Sequence, residues 1–373
     1  MDLSKTQKAI EQIEVLLRKG YDLKTIKRDH KVSDELLSMA RARIKNAREN
    51  KIDQRLIFTE DDLRFCTNQM VADYRAKRLA CDTIIDVGCG IGIQAMAFAK
   101  TCNKVIAIEI DKGRIERAEL NAKIAGITNI EFLHADAIKA FASIKRADIV
   151  FWDPERPPSE AKRALQSFSP SFADLMAQAQ RLTQKVAVEL PPRLAREEVM
   201  GDPELEYVVL DHETNRLTAY FGPLKKVERS VIALPETHRI STEDAQQEIA
   251  LAQGVGKYIA EIDEAVLAAD LLAVLGAKLP KAKLLVQEQK SYLTSDHVME
   301  DSFLKVYKVH DIAKQAQLGH ALKTLQCGKV ILHGKIPERV YASWRKNLQE
   351  TAKGTLTCHL FVLGDEHALT TKQ

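Results

Sequence analysis

Apolar residues recur along the chain with two periods, and the changes of period mark its elements. Over residues 4–19, Ile10, Ile13, Leu16 and Leu17 fall three and four apart and Gly20 ends the run, which predicts a helix. Leu23–His30 and 33–50 predict two more, the second with Ser33 as N-cap and Asp34 and Glu35 in its first turn. A bridge over 56–79 contains a helix capped by Phe58-Thr59-Glu60-Asp61 and continued over 71–79. From Thr83 the period alternates. Short β-branched runs at Thr83–Val87, Lys104–Glu109, Ile130–His134, 147–152 and 185–190 predict strands. Helical stretches lie between them at 92–101, Lys112–Ala125, just after Ala137, and 171–183. Extended stretches at 206–211, 216–221 and 229–234 close the region. Strands that alternate with helices predict a mainly parallel α/β sheet covered by helices on both faces.

Residues 235–244 read as a linker. Beyond it the pattern is α+β: helices near 244–252, 263–276 and 337–352, and strands at 282–287, 303–310, 329–333 and finally Leu356–Leu363. The expected organisation is a helical region over 1–55, an α/β domain over 56–235 and a smaller α+β domain over 236–373. The third N-terminal helix carries Arg41, Arg43, Lys45, Arg48 and Lys51. It reads either as part of a helix-turn-helix or as the solvated face of a small bundle.

Bulk properties narrow the class. At 373 residues, 45% hydrophobic and 29% charged, the chain has the composition of a soluble globular enzyme with more than one domain. A net charge of +3 names no nucleic-acid partner by itself. The six cysteines form no C-x-x-C pair, which argues against a zinc site or a disulfide framework and for a reducing compartment. With no apolar run of transmembrane length and no hydrophobic signal core, a cytoplasmic location is expected, without membrane or metal.

The candidate chemistry starts at residues 83–93. A β-branched run ends in Asp86; glycine follows at 88, 90 and 92, and then a helix begins. Glycines permit a sharp turn and let a ligand lie against the backbone, and the helix aims its N-terminus there. The G-x-G-x-G spacing departs from the G-x-G-x-x-G dinucleotide fingerprint. An acid then stands at the end of each following strand: Glu109, Asp136 and Asp153. Ligands of open α/β sheets sit outside the carboxyl ends of the strands. There Glu109 can accept from a ribose diol, Asp136 from an adenine amino group, and Asp153 can face an incoming substrate. Thr67 and Arg75 are further candidate cofactor contacts.

In combination these motifs resemble those of the class I S-adenosylmethionine-dependent methyltransferases. Asp86-Val-Gly88-Cys-Gly90-Ile-Gly92 resembles their first motif, Ile108-Glu109-Ile110-Asp111 the second, His134-Ala-Asp136-Ala137 the third and Asp153-Pro154-Glu155-Arg156 the fourth. The resemblance implies a Rossmann-like seven-stranded methyltransferase sheet and S-adenosylmethionine as cofactor. It also implies a cofactor site made by Asp86, Gly88, Gly90, Gly92, Glu109, Ile110, Asp136 and Ala137, with Asp153 and Arg156 on the catalytic side.

A longer resemblance takes in Phe58-Thr-Glu-Asp-Asp-Leu, Val71-Ala-Asp-Tyr-Arg75-Ala, and a tail with Tyr258-Ile-Ala-Glu-Ile-Asp and Tyr292-Leu-Thr-Ser-Asp296. It is similar to methyltransferases with a C-terminal THUMP-like domain and implies an RNA substrate, tRNA or rRNA. Asp-Pro-x-Arg lacks the aromatic residue of exocyclic-amine enzymes, and Arg156 can stack a base or bind a phosphate in its stead. The same tetrapeptide occurs in 5-methyluridine enzymes, whose cysteine nucleophile lies beyond the next strand. Here that stretch is Glu189-Leu-Pro-Pro-Arg193, and no cysteine occurs between 102 and 327. Methylation of a base nitrogen is therefore expected, with Asp153 holding the amine and Glu155 and Glu189 as weaker candidates for the proton. The alternatives are a methyltransferase for a small molecule or protein, and a non-catalytic cofactor-binding protein that associates with RNA.

Overall fold

The computed structural model describes residues 3–154, 168, 170–287, 290–334 and 336–373. The chain divides into two compact units, one of residues 1–205 with 216–226, the other of 206–215 with 227–373.

The first unit begins with α1 (Leu3–Arg18), α2 (Leu23–His30) and α3 (Asp34–Glu49). Their apolar stripes meet in one cluster of Ile10, Ile13, Ile26, Leu37, Met39 and Ala40, joined by Ile57. Ser33 caps α3 as expected, its hydroxyl accepting from the Leu36 amide. At the far end of α3, buried Asn46 accepts from the amides of Lys51 and Ile52 and donates to the Ile52 carbonyl at 2.8 Å. One side chain thus turns the backbone into the next segment. There α4 (Glu60–Phe65) starts on a capping box between Thr59 and Asp62, followed by α5 (Gln69–Arg78).

Strands β1 (Thr83–Val87), β2 (Lys104–Glu109), β3 (Ile130–His134), β4 (Ile149–Trp152) and β5 (Val186–Leu190) alternate with α6 (Ile93–Phe98), α7 (Lys112–Ala125), α8 (Ala137–Phe141) and α9 (Phe172–Leu182). Next come β6 (Glu204–Leu210) and β7 (Glu213–Phe221), joined through Asp211 and His212 at φ 52° and 60°. The two units divide within this hairpin. In the first unit the order is β3-β2-β1-β4-β5-β7, parallel except for β7. The mixed α/β class is the one expected. The register pairs Val87 with both Ile108 and Trp152, and Glu109 with His134, so four strands end level. The order reverses at β1, which opens a crevice there.

The second unit continues with β8 (Arg229–Leu234), β9 (His238–Ser241), β10 (Tyr258–Ile262), α10 (Glu264–Ala268), α11 (Leu272–Lys278), β11 (Lys283–Gln287), β12 (Lys290–Ser295), β13 (Leu304–Lys314), α12 (Leu318–Thr324), β14 (Cys327–His333), α13 (Glu338–Thr351), β15 (Leu356–Leu363) and β16 (Glu366–Lys372). Seven of these strands form a sheet of order β11-β12-β10-β13-β16-β15-β14. Leu318 and Leu322 of α12 and Leu348 of α13 share a cluster with Val330, Leu360 and Leu369.

Here the local pattern misleads in five places. The stretch 235–244, expected as a linker, contains β9, which pairs with β8. The helix expected near 244–252 is extended, because Ala252 donates to the Leu284 carbonyl and Leu284 to the Ala250 carbonyl, each at 2.8 Å, beside β11. The single helix expected over 263–276 is broken into α10 and α11 at Asp270, whose φ is 55°. Leu356–Leu363 is not the last strand: β16 follows it and pairs with both β15 and β13. Cys327 and Cys358, expected to be free, form a disulfide. Their strands are parallel neighbours, a proximity that linear spacing does not encode.

Among the described residues no helix is long and apolar enough to cross a membrane. Nor does any group of three or more His, Cys, Asp or Glu residues among them stand ready to hold a metal ion.

Candidate functional site

The crevice at β1 opens into a cleft of about 900 Å³. That is the size of a site for a nucleoside-sized ligand together with part of a second molecule. Its floor comes from the ends of β1 to β4, and one wall from residues 61–67.

The glycine turn shapes the floor. Gly88, Gly90 and Gly92 have φ of 77°, 55° and 86°, the left-handed region that a side chain rarely adopts. A Cβ on Gly88 would sit 2.7 Å from the Asp153 carbonyl oxygen, so glycine there lets β1 and β4 end side by side. A Cβ on Gly90 would meet nothing within 4 Å, because that residue faces the open cleft. The turn is pinned by Glu109. Its Oε2 accepts from the Gly90 amide, and its Oε1 from the amides of Ile110 and Asp111, all at 2.9 Å. Ile110 beside it is 64% exposed, an apolar side chain facing the cleft. Asp136 caps α8 through Oδ1, and Ala137 follows at the cleft edge. His134 bonds the Ile110 carbonyl at 3.0 Å and supports this rim from beneath.

Asp86 is the anomaly. It is 1% exposed, and neither carboxylate oxygen has a hydrogen-bond partner among the described residues. Burial, reinforced by the Asp153 and Glu109 carboxylates and opposed by Arg75, pushes its carboxyl up to about 8. A buried group in that state lacks a cation or a donor, and it lines the cleft.

Asp153 and Pro154 follow β4 and line the cleft, as do Pro191, Thr67, Cys66 and Arg216. Asp153 is held by its own amide, which donates to the Val87 carbonyl at 3.1 Å. Glu155 and Arg156 lie outside the described residues.

Arg75 is not a cleft residue. Buried to 1% exposure, it ion-pairs with Glu189, donates to Gln94 at 2.7 Å and lies over the Phe151 ring at 4.7 Å. Glu189 is equally buried and also faces Arg216 at 3.6 Å, so it is engaged by two guanidiniums. The reason is topological: Arg75 on α5 reaches Phe151 of β4 and Glu189 of β5, so it lies against the sheet.

Sequence reasoning missed the wall. Arg64, Phe65 and Cys66 line the cleft, and Lys51 braces them by donating to the carbonyls of Leu63 at 2.6 Å and Arg64 at 3.2 Å. Burial holds the Lys51 ammonium below its ordinary range. The only signal available was an aromatic residue left outside the apolar face of a short capped helix.

Residues 84–169 match the family model described as a methyltransferase domain. An uncharacterised RNA methyltransferase of Clostridium tetani is 28% identical over 137 residues, 34% of this chain and 30% of its own length. A 23S rRNA (uracil(1939)-C(5))-methyltransferase of Legionella pneumophila is 42% identical over 55 residues, 15% of this chain and 12% of its own. The chain thus spans less than a third of the length of these curated relatives. A crystal structure of a candidate methyltransferase from Porphyromonas gingivalis W83 shares the fold over 100% of this chain and 99% of its own, with a TM-score of 0.75 at 15% identity.

Proposed function

We propose that the chain is an S-adenosylmethionine-dependent methyltransferase that modifies RNA, tRNA or rRNA, at a base nitrogen. The observation that carries the reading is the cleft at the level ends of β1 to β4, with an unpartnered buried carboxylate, Asp86, beside an open glycine backbone.

The residues fit the cofactor. Its methionyl ammonium would relieve Asp86, its ribose would find the remaining acceptor capacity of Glu109, and its adenine would lie against Ile110 and near Asp136 and Ala137. When bound, the cofactor supplies a methyl group already activated on sulfonium. What remains for the protein is alignment and proton handling. Asp153 orients the acceptor amine and takes or stabilises the proton that leaves. Arg156 is assigned to the acceptor through its motif. The part over 236–373 is read as a THUMP-like domain that holds RNA, beside a catalytic domain over 56–235 and a helical region over 1–55.

Carbon-5 chemistry, the activity named for the Legionella relative, needs a thiolate. The two thiols of the cleft, Cys66 and Cys89, are both pushed up by burial. Protonated thiols are poor nucleophiles, which supports nitrogen as the acceptor.

The test is transfer of label from tritiated S-adenosylmethionine to total RNA from the source organism grown without this gene, beside a protein extract. Label in one RNA size class is the expected result. Label confined to protein or small molecules refutes the RNA reading.

A further inference from the structure

Three side chains meet at the wall over 61–67, and none of them is among the cofactor contacts proposed above. Phe65 is 44% exposed although it lines the cleft. The Arg64 guanidinium lies over its ring, 5.1 Å from the centroid. Arg216 reaches the same wall: its Nη2 donates to the Cys66 carbonyl at 3.4 Å, and its Nε stands 3.6 Å from the buried Glu189 carboxylate. The wall is braced from behind by Lys51 and by the capping box at Thr59, so the ring is presented by a fixed backbone.

A large aromatic ring left in water inside a cleft, flanked by guanidiniums, is the combination that single-stranded nucleic acids use. Bases stack on the ring, and phosphates take the guanidiniums. An apolar small molecule would make no use of the two guanidinium charges, whereas a base with its phosphate uses both the ring and the charges.

From this we infer that Phe65 is the stacking platform for the base next to the methyl donor, and that Arg216, oriented by Glu189, contacts a phosphate beside that base. This deepens the RNA reading above and rests on it. It assigns base stacking to the segment before β1.

The experiment titrates total RNA from the source organism lacking this gene, with tritiated S-adenosylmethionine, against the wild-type chain and the variants F65A, F65W and R216K. Binding of S-adenosylhomocysteine to each is measured in parallel by calorimetry. Expected for F65A is a half-saturating RNA concentration roughly tenfold or more above wild type, with S-adenosylhomocysteine affinity and melting temperature unchanged and with recovery in F65W. R216K keeps the charge but not the planar fork, and is expected to raise half-saturation with little change in maximal rate. If wild type methylates RNA and F65A saturates at the same concentration, the stacking assignment falls and the RNA reading stands. If F65A instead loses S-adenosylhomocysteine, the wall belongs to the cofactor and the inference is overturned. If wild type labels protein or metabolites but no RNA, both fall together.

Discussion

The Asp86 carboxylate sets a measurable pH dependence. In the folded chain without cofactor its carboxyl sits at about 8, from an ordinary value of 3.8, because it is buried near Asp153 and Glu109 with only Arg75 opposing. An acid raised on folding binds more protons in the folded than in the unfolded state, so its contribution to stability is full below the unfolded value and is lost as pH rises through the folded one. The window runs from about pH 4 to about pH 8. At ~1.4 kcal/mol per unit the upper limit of the loss is about 6 kcal/mol, and relaxation reduces it to a few. Cofactor binding runs the other way. If the ammonium of S-adenosylhomocysteine pairs with ionised Asp86, the competent fraction is roughly 1% at pH 6 and about half at pH 8, and affinity climbs about 50-fold, or ~2.3 kcal/mol. Asp86→Asn removes the titrating group at nearly constant volume. Its affinity is expected to be weaker at pH 8 and free of that climb, and its unfolding midpoint at pH 8 higher than that of wild type. Calorimetric titration of both proteins from pH 6 to 9, with urea unfolding at each pH, makes the comparison. The ligand's own titration is common to the two proteins and cancels. Equal slopes in wild type and variant would refute the reasoning, as would a variant less stable than wild type at pH 8.

Two glycines should separate stability from binding. Gly88→Ala places a Cβ 2.7 Å from a backbone oxygen and should lower the melting temperature. Gly90→Ala meets nothing within 4 Å, should cost only about 1–2 kcal/mol of left-handed strain, and should lose S-adenosylhomocysteine affinity instead; the reverse pattern would place the ligand elsewhere. Arg75→Ala removes one of the two guanidiniums that face the buried Glu189 and should destabilise the first unit by about 3–5 kcal/mol in urea unfolding, and an unchanged midpoint would contradict the buried pair. Asp153→Ala should reduce methyl transfer by roughly 10²–10⁴-fold while S-adenosylhomocysteine still binds, and transfer at the wild-type rate would remove Asp153 from the proton's path.

The α/β region was legible because its signals are local. β-branched runs, helical spacing, the cap at Ser33 and the glycine turn each act within a few residues, and the structure has strands and helices where they predict them. Asp86, Glu109, Asp136 and Asp153 come to line one cleft because each stands at or just after a strand end and parallel register makes those ends level. The second unit was less legible. Its strands pair across long stretches of chain, and residues 244–252 were drawn into extended form by hydrogen bonds to Leu284, which no period in that segment announces.

Local sequence decided which residues could stand at the mouth of the crevice, since backbone sterics and capping act over one turn or one strand. It could not decide their partners. Arg75 reads as a cofactor contact until Glu189, 114 residues later, takes it into the core. Arg216 is brought to the wall by the Cys66 carbonyl, 150 residues earlier. Glu109 looks like a ribose acceptor, yet it also ties down Gly90, 19 residues before it. Asp86 is left without a partner only because the packed sheet surrounds it. Desolvation and charge pairing depend on distances across the fold, and those are set by strand order and register after the local elements have formed.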